Sequence, residues 1–529
     1  MSVPAAVPTA PSDPRYRWKV LGVVMIGTLM SALDTSIVNV CLPSMMSSFG
    51  ASVDEIEWVI TGYMLGFSTF MPLTVWLRDR LGPRTLFLFA LGVFTLGSLL
   101  CGIAWSLPVL VIARLIQAFG GGAITPTGMA MIAEVFPPAE RGRALGIWGV
   151  GVIVGPAVGP TLGGYLTDAF GWRAIFDVNL PFGALGLVAA ARVLRRERPA
   201  AGARRPFDLA GFVLLSAFLV ATLLGLSKGN SEGWTSRYVT SCALVAAFSF
   251  AAFLLVESVV EHGILDLGLL KNGQLSIALA VTAMRSVALY GGTFLLPVFL
   301  QAHMGLDEIR TGELLLPGAL VIGAVMPFAG RLADRIGARI PTVAGLLLVA
   351  FFMFSYRDLH STTSAWGVLW PTLVRGLGLG LLVTPVMTAA MNAVPTARAG
   401  MASSMLNLTQ QVAGSVGIAA LASILGNRTA YHRAVVGESI QASSATWGQA
   451  GAAVTAHLRA IGYGPAEARL AAAATMARHA VETASIAAFD DAFLAGAVIV
   501  ALGVLPALFL ASKGRSRGDA PSGGHALAD

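Results

Sequence analysis

The chain has 529 residues, 56% hydrophobic and 12% charged, with a formal net charge of +7 and a mean hydropathy of +0.75. Soluble proteins carry about 25% charged residues, so this composition excludes intrinsic disorder, a coiled coil and a nucleic-acid binder, and it points to an integral membrane protein. The positive surplus needs no polyanionic partner, because cytoplasmic loops of membrane proteins carry extra Lys and Arg.

Residues 1–16 are rich in Pro and Ala and read as a disordered cytoplasmic N-terminus. Arg15, Arg17 and Lys19 then precede a long apolar stretch without the short core and small-residue cleavage site of a signal peptide, so it reads as a first span. A span needs about 20 mostly apolar residues. Fourteen stretches are candidates, near 20–42, 57–77, 86–105, 108–132, 143–166, 176–194, 208–227, 238–256, 275–301, 311–330, 340–356, 366–391, 400–425 and 490–511. Alternate connections are basic: Arg78, Arg80 and Arg84; Arg141 and Arg143; Arg192, Arg195, Arg196, Arg198, Arg204 and Arg205; Arg331, Arg335 and Arg339. The tail adds Lys513, Arg515 and Arg517, whereas 44–56 has Asp54 and Glu55 and no Lys or Arg. Both termini are therefore expected in the cytoplasm, with the chain multi-pass in the inner (plasma) membrane.

Residues 427–489 form a long polar, Ala-rich connection on the outer face. Helix formers fill 464–488, with Gly and Pro only at its start, so an external helical hairpin is expected, with a linker as the alternative.

Two basic connections share the pattern L-x-D-R-x-G-x-R. One holds Asp79, Arg80 and Arg84, the other Asp334, Arg335 and Arg339. They follow candidate spans 2 and 10, so if spans 7 and 8 are inserted, each loop has the same place in a six-span half. Two related halves around a midplane site is how many secondary transporters are built. Gly permits the tight turn. The Asp can face a helix N-terminus or pair with Arg in one conformation and part from it in another, as a gate requires. The expected organisation is 17–205 as an N-terminal six-helix half, 206–260 as two inserted helices, 261–511 as a C-terminal six-helix half, and 512–529 as a cytoplasmic tail.

Asp34 stands out within the first span. It lies about 21 Å along a helix from Val20 at 1.5 Å per residue, inside the hydrocarbon. A carboxylate at a span centre costs on the order of 2.5–3.5 kcal/mol. Hydrocarbon disfavours the charged form, so such a group can take up and release a proton; a structural carboxylate paired with Arg is the alternative. Met30, Thr35 and Asn39 are close to it on the helix. Arg114, with Gln117 one turn on, either sets the proton affinity of a buried carboxylate or snorkels to the outer interface. Arg375 is its counterpart in the second half. Arg285 lies within its span and needs a partner, for which Asp34 and Glu313 are candidates. Gly155, Gly159 and Gly163 share one helix face that lets a neighbour approach closely, while Pro156 and Pro160 bend that helix. Asn407, Gln411 and Gly414 lie on one face of another span, either towards a cavity or as polar glue between helices. Met25, Met30, Met64, Met71, Met387 and Met391 fall in spans, where flexible Met side chains suit varied apolar ligands or simply fill the core. Tyr63 completes the candidate cavity set of Met30, Thr35, Asn39, Gln117, Asn407 and Gln411.

Several chemistries are absent. No lysine follows glycine, so there is no phosphate loop of the ATPase type. The histidines (His262, His303, His360, His432, His457, His479 and His525) fall in loops or the tail, so no metal site is expected. Cys41, Cys101 and Cys242 read as packing residues. No nucleophile constellation stands out, and the chain is not expected to be an enzyme.

The two repeated loops resemble the signature loop of the major facilitator superfamily. The run Leu33, Asp34, Thr35, Ser36 to Pro43 is similar to the first-span signature of its fourteen-span drug:proton antiporters. So is Arg114 with Gln117, Gly120, Gly121, Gly122 and Pro126. Gly146, Gly155, Gly159, Pro160, Gly163 and Gly164 match the antiporter motif, and Trp172 to Gly183 resembles the approach to span 6. Leu296, Pro297 and Gln301, then Trp370 and Pro371, then Ser403 to Asn407 and the long outer loop resemble the EmrB/QacA type. The resemblance covers roughly 17–511. Val75 and Arg78 depart from the first loop's usual Gly and Ala, which weakens that loop as a gate, and Arg285 and Glu313 stand where the family is usually apolar or small.

The resemblance implies an all-α integral membrane protein of the MFS fold, two six-helix halves plus two inserted helices, with fourteen transmembrane helices. It implies proton-coupled export of lipophilic or cationic drugs by alternating access, with Asp34 and Arg114 in proton coupling and H+ as coupling ion, no other cofactor being needed. Its partners would be lipophilic small molecules, membrane lipid and, through the outer loop, a periplasmic adaptor protein joined to an outer-membrane channel. An exporter of a native metabolite, siderophore or antibiotic on the same fold, or a membrane receptor or scaffold, are the alternatives.

Overall fold

The structure, a computed structural model, describes residues 13–196, 207–260, 263–360, 362–442 and 444–511. The expected tail, most of the expected N-terminal segment, and Arg198, Arg204, Arg205, Lys513, Arg515 and Arg517 lie outside the described residues.

Among the described residues every regular element is helical. The first half comprises α1 (Pro14–Phe49), α2 (Val53–Ile56), α3 (Trp58–Phe70), α4 (Leu73–Leu81), α5 (Pro83–Gly102), α6 (Leu107–Val135), α7 (Arg141–Phe170), α8 (Ala174–Asp177) and α9 (Asn179–Val193). A pair follows, α10 (Leu209–Glu232) and α11 (Arg237–Val259). The second half comprises α12 (Gly273–Met304), α13 (Glu308–Ile336), α14 (Arg339–Ser355), α15 (Ala365–Ala393), α16 (Ala399–Ala442), α17 (Ser444–Ala460), α18 (Pro465–Leu502) and α19 (Val504–Ala507). Local chemistry sets the helix starts. Asp13 accepts from the Arg15 N–H and Pro14 opens α1, while Asn272 accepts from the N–H groups of Gln274 and Leu275 to open α12.

Among the described residues twelve helices are long and apolar enough to cross a membrane, or thirteen if the pair α3 and α4, bent by 54° around Pro72, makes one span. The α14 helix is apolar but has only 17 residues. The fourteen-span count thus requires the bent pair and α14 to cross as well.

The two halves repeat one packing pattern. In the first, α1 packs on α6, α7 and α9, and α5 packs on α6 and α9. In the second, α12 packs on α15, α16 and α18, and α14 packs on α15 and α18. The signature loops repeat it in detail. Gly82 and Gly337 take φ of +79° and +88°, which glycine adopts without a Cβ penalty, and turn the chain between α4 and α5 and between α13 and α14. Arg84 then donates to the Ala191 carbonyl (2.6 Å) and Arg339 to the Leu510 carbonyl (2.9 Å), each at the end of the last helices of its own half. The α10–α11 pair lies outside the repeat, with α10 against α3 of one half and α16 of the other.

The connection 427–489 is helical where described: α16 runs on into it, α17 packs on α18, and α18 leads back.

Candidate functional site

Asp34 is fully buried on α1, and it is not a lone carboxyl. Arg114 donates to its Oδ2 at 2.6 Å, and Gln117 and Asn179 donate to its Oδ1 at 2.9 and 3.1 Å. Arg114 is 1% exposed, so it does not snorkel. It also donates to Gln117 Oε1 (2.6 Å) and to the Val59 carbonyl (3.3 Å), and its guanidinium lies 4.0 Å from the Tyr63 ring centroid. Ser98 accepts from Gln117 and Asn179, closing a network drawn from α1, α5, α6 and α9. Asn179 is legible in the sequence only as part of the run Trp172 to Gly183, and Ser98 carries no sequence signal. Close helix approach makes the network reachable: a Cβ at Gly97 would sit 2.5 Å from the Gln117 Cα, so only a bare α5 lets α6 come this near.

A cavity of about 600 Å³ lies between the halves. Thr35, Asn39, Tyr63, Asn407 and Gln411 line it, with Met64, Met71, Met326 and Met387. Met30 does not; it is 1% exposed in the hydrophobic core. Gln117 does not either, because its amide is turned into the Asp34 network. Tyr63 belongs to both places. It lines the cavity and lies over Arg114, so one ring separates the cavity from the ion pair.

Arg285 is 2% exposed and lines the cavity, but neither Asp34 nor Glu313 is its partner. It donates to Gln410 Oε1 at 2.8 Å, while Asp34 is taken by Arg114 and Glu313 is exposed. Arg375 also lines the cavity and donates to Thr293 Oγ1 at 2.6 Å.

The halves meet at the end carrying the signature loops. Asp334 accepts from the backbone N–H groups of Gly142 (2.9 Å) and Arg143 (3.0 Å) at the start of α7, where the helix dipole favours a carboxylate. A Cβ at Gly146 would lie 2.5 Å from the Met326 carbonyl oxygen, so α7 and α13 touch through backbone. Arg141, 5% exposed, reaches from α7 to the Met391 carbonyl and Asn392 Oδ1 of α15. The first loop is built differently. Asp79 is exposed, as is Arg80, which lies over Trp76. Arg78 pairs with Glu134 and faces Gly400 at the start of α16. The departure at Arg78 thus puts a cation where the other loop puts a carboxylate. Arg335 is exposed.

The α7 glycines serve two partners. Gly155, Gly159 and Gly163 face Ala32, Ser36 and Ile37 of α1, whereas Gly142 and Gly146 face α13. Gly164 faces nothing within 4 Å. Pro160 and Pro156 line the cavity. Among the described residues no His, Cys, Asp and Glu group could hold a metal ion.

Residues 24–418 match the model of the Major Facilitator Superfamily. The chain belongs to that family. It is 32% identical to the MFS-type transporter YhcA of Bacillus subtilis over 92% of both chains. It is 37% identical to the multidrug resistance protein Stp of Mycobacterium tuberculosis over 76% of this chain and 74% of that one. Among solved structures it is similar to the human organic anion transporter MFSD10, with a TM-score of 0.61, 14% identity, and coverage of 94% and 100% of the two chains. That likeness concerns the fold alone. Family and fold make this a membrane transporter rather than an enzyme.

Proposed function

We propose that this chain exports lipophilic compounds across the inner membrane in exchange for protons. Relatives carrying multidrug-resistance names support export of drugs. The observation that carries the reading is the position of Tyr63, between a cavity of about 600 Å³ and the Asp34–Arg114 pair. That volume is within the ~300–1,000 Å³ of small-molecule sites. A proton arriving at Asp34 neutralises the carboxylate and loosens its hold on Arg114, whose guanidinium already lies 4.0 Å from the Tyr63 ring centroid. Proton and substrate are thereby in contact through one side chain. A pair that never opened would carry nothing, so the cycle requires its opening. The inward proton supplies ~1.36 kcal/mol per pH unit and ~2.3 kcal/mol per 100 mV.

Closure at the loop end by Asp334, Gly142 and Gly146 fits one limb of alternating access, with the halves rocking about the cavity. On this reading the chain is an EmrB/QacA-type antiporter of fourteen spans with both termini cytoplasmic, and α17 with the adjoining ends of α16 and α18 is the docking element for a periplasmic adaptor leading to an outer-membrane channel.

The test is expression in a host lacking its own exporters, challenged with a panel of lipophilic compounds. Wild type raises resistance; Asp34→Asn reaches the membrane folded and does not. Unchanged resistance in the variant removes Asp34 from the mechanism. Substrate-triggered proton release from purified protein would exclude a receptor or scaffold role.

A further inference from the structure

The two halves treat the arginines of their spanning helices differently. In the first half Arg114 on α6 is neutralised by Asp34 on α1. In the second half the corresponding helices are α15 and α12, and both carry arginine: Arg375 and Arg285. Both line the central cavity, and among its described lining residues there is no Asp or Glu. Among the described residues Arg285 has no carboxylate partner; it is held by the Gln410 amide oxygen, and its buried Nε has no hydrogen-bond partner there. Arg375 is held by the Thr293 hydroxyl and, at 3.4 Å, the Leu289 carbonyl. Each guanidinium has five N–H donors in a fork that fits a carboxylate, and these neutral partners leave donors free. Arg285 is 2% exposed and Arg375 half-buried; a buried cation without a counter-ion is costly, so an anion entering the cavity is favoured there and a cation disfavoured.

We propose that the cavity takes a lipophilic organic anion. Its acid group is held by Arg285 and Arg375 on the wall of the second half, and its apolar body lies against Val152, Ile153 and Met64 on the wall of the first. The proposal deepens the exporter reading by naming its substrate class, and it sets aside the cationic drugs that the resemblance implied, because a cation would face two guanidiniums and no carboxylate among the described lining residues.

The test uses three ligands of one chain length: octanoate, octanol and octylammonium. Their binding to the full chain in nanodiscs at neutral pH is measured by calorimetry, with empty nanodiscs subtracted for partitioning. The expected result is octanoate binding at least about tenfold tighter than octylammonium, lost in Arg285→Gln and in Arg375→Gln, with octanol binding unchanged in both and octanoate binding retained in Arg285→Lys. Octanol binding and the unfolding midpoint report folding of each variant, and Arg375→Gln alone suffices if Arg285→Gln does not fold. Equal or tighter octylammonium binding overturns the proposal, as does undiminished octanoate binding in folded glutamine variants. The exporter reading fails separately: octanoate preference intact in binding, with no octanoate-driven proton movement in proteoliposomes, would leave the anion site standing and remove the antiport.

Discussion

Asp334 on α13 caps the first turn of α7 through the backbone N–H groups of Gly142 and Arg143, so a carboxylate of one half closes onto a helix start of the other. Hydrogen bonds to a charged group contribute about 1.5–3 kcal/mol each. Asp334→Ala should therefore favour opening at the loop end by about tenfold or more. The readout is maleimide labelling of Val150→Cys, near the closed contact, in a Cys242→Ser background. Unchanged labelling would mean that the cap does not hold the closure.

Gly146→Leu should act in the same direction by a different route. Its side chain would meet the Met326 carbonyl and the Pro327 Cα, which are backbone and cannot swing away. The halves would then be held apart at the loop end, with substrate binding kept and transport lost. Proteoliposome flux alongside ligand binding separates the two; normal flux would refute the blocked closure.

Asp34→Ala leaves Arg114 buried without its counter-ion. Breaking a buried pair from one side costs about 3–5 kcal/mol. The double variant Asp34→Ala with Arg114→Met should recover much of that loss, as thermal unfolding in detergent can show. Additive losses would mean the two residues act independently.

The glycines of α7 should differ in tolerance. Gly155→Ala places a methyl 2.7 Å from the Ala32 Cβ and Leu33 nitrogen of α1, an overpacking that costs about 1–3 kcal/mol. Gly164→Ala meets nothing within 4 Å and should stay within about 0.5 kcal/mol of wild type. Equal effects on the unfolding midpoint would remove the close-approach argument.

Removing 440–485 should leave the membrane helices folded and abolish co-purification of a periplasmic adaptor. Persisting co-purification would place the docking surface elsewhere.

Much of the architecture was legible in the chain because hydrocarbon imposes simple rules. Apolar runs must be helices there, since an unpaired backbone group has no water to turn to, and the repeated L-x-D-R-x-G-x-R pattern marks equivalent turns, seen in Gly82 and Gly337. Asp34 and Arg114 were visible because ionised groups are rare and costly in that medium. Their pairing was not visible. Eighty positions separate them, and nothing local to either residue says which neighbour α1 will present to α6.

The cavity shows the same division. Thr35, Asn39, Tyr63, Asn407 and Gln411 are polar groups on apolar helices, which sequence alone can single out. Met30 and Gln117 have the same character but turn into the core and into the Asp34 network, because helix rotation is set by packing against neighbours. Composition, periodicity and motif thus dictated a helical membrane transporter with two related halves, since each depends on residues close together in the chain. Which charges meet, which signature loop grips its opposite helix, and the placing of Arg285 and Arg375 on one cavity wall were settled by tertiary packing, because Coulomb attraction and hydrogen bonding act on distance in space, and distance in space is fixed only once the helices have docked.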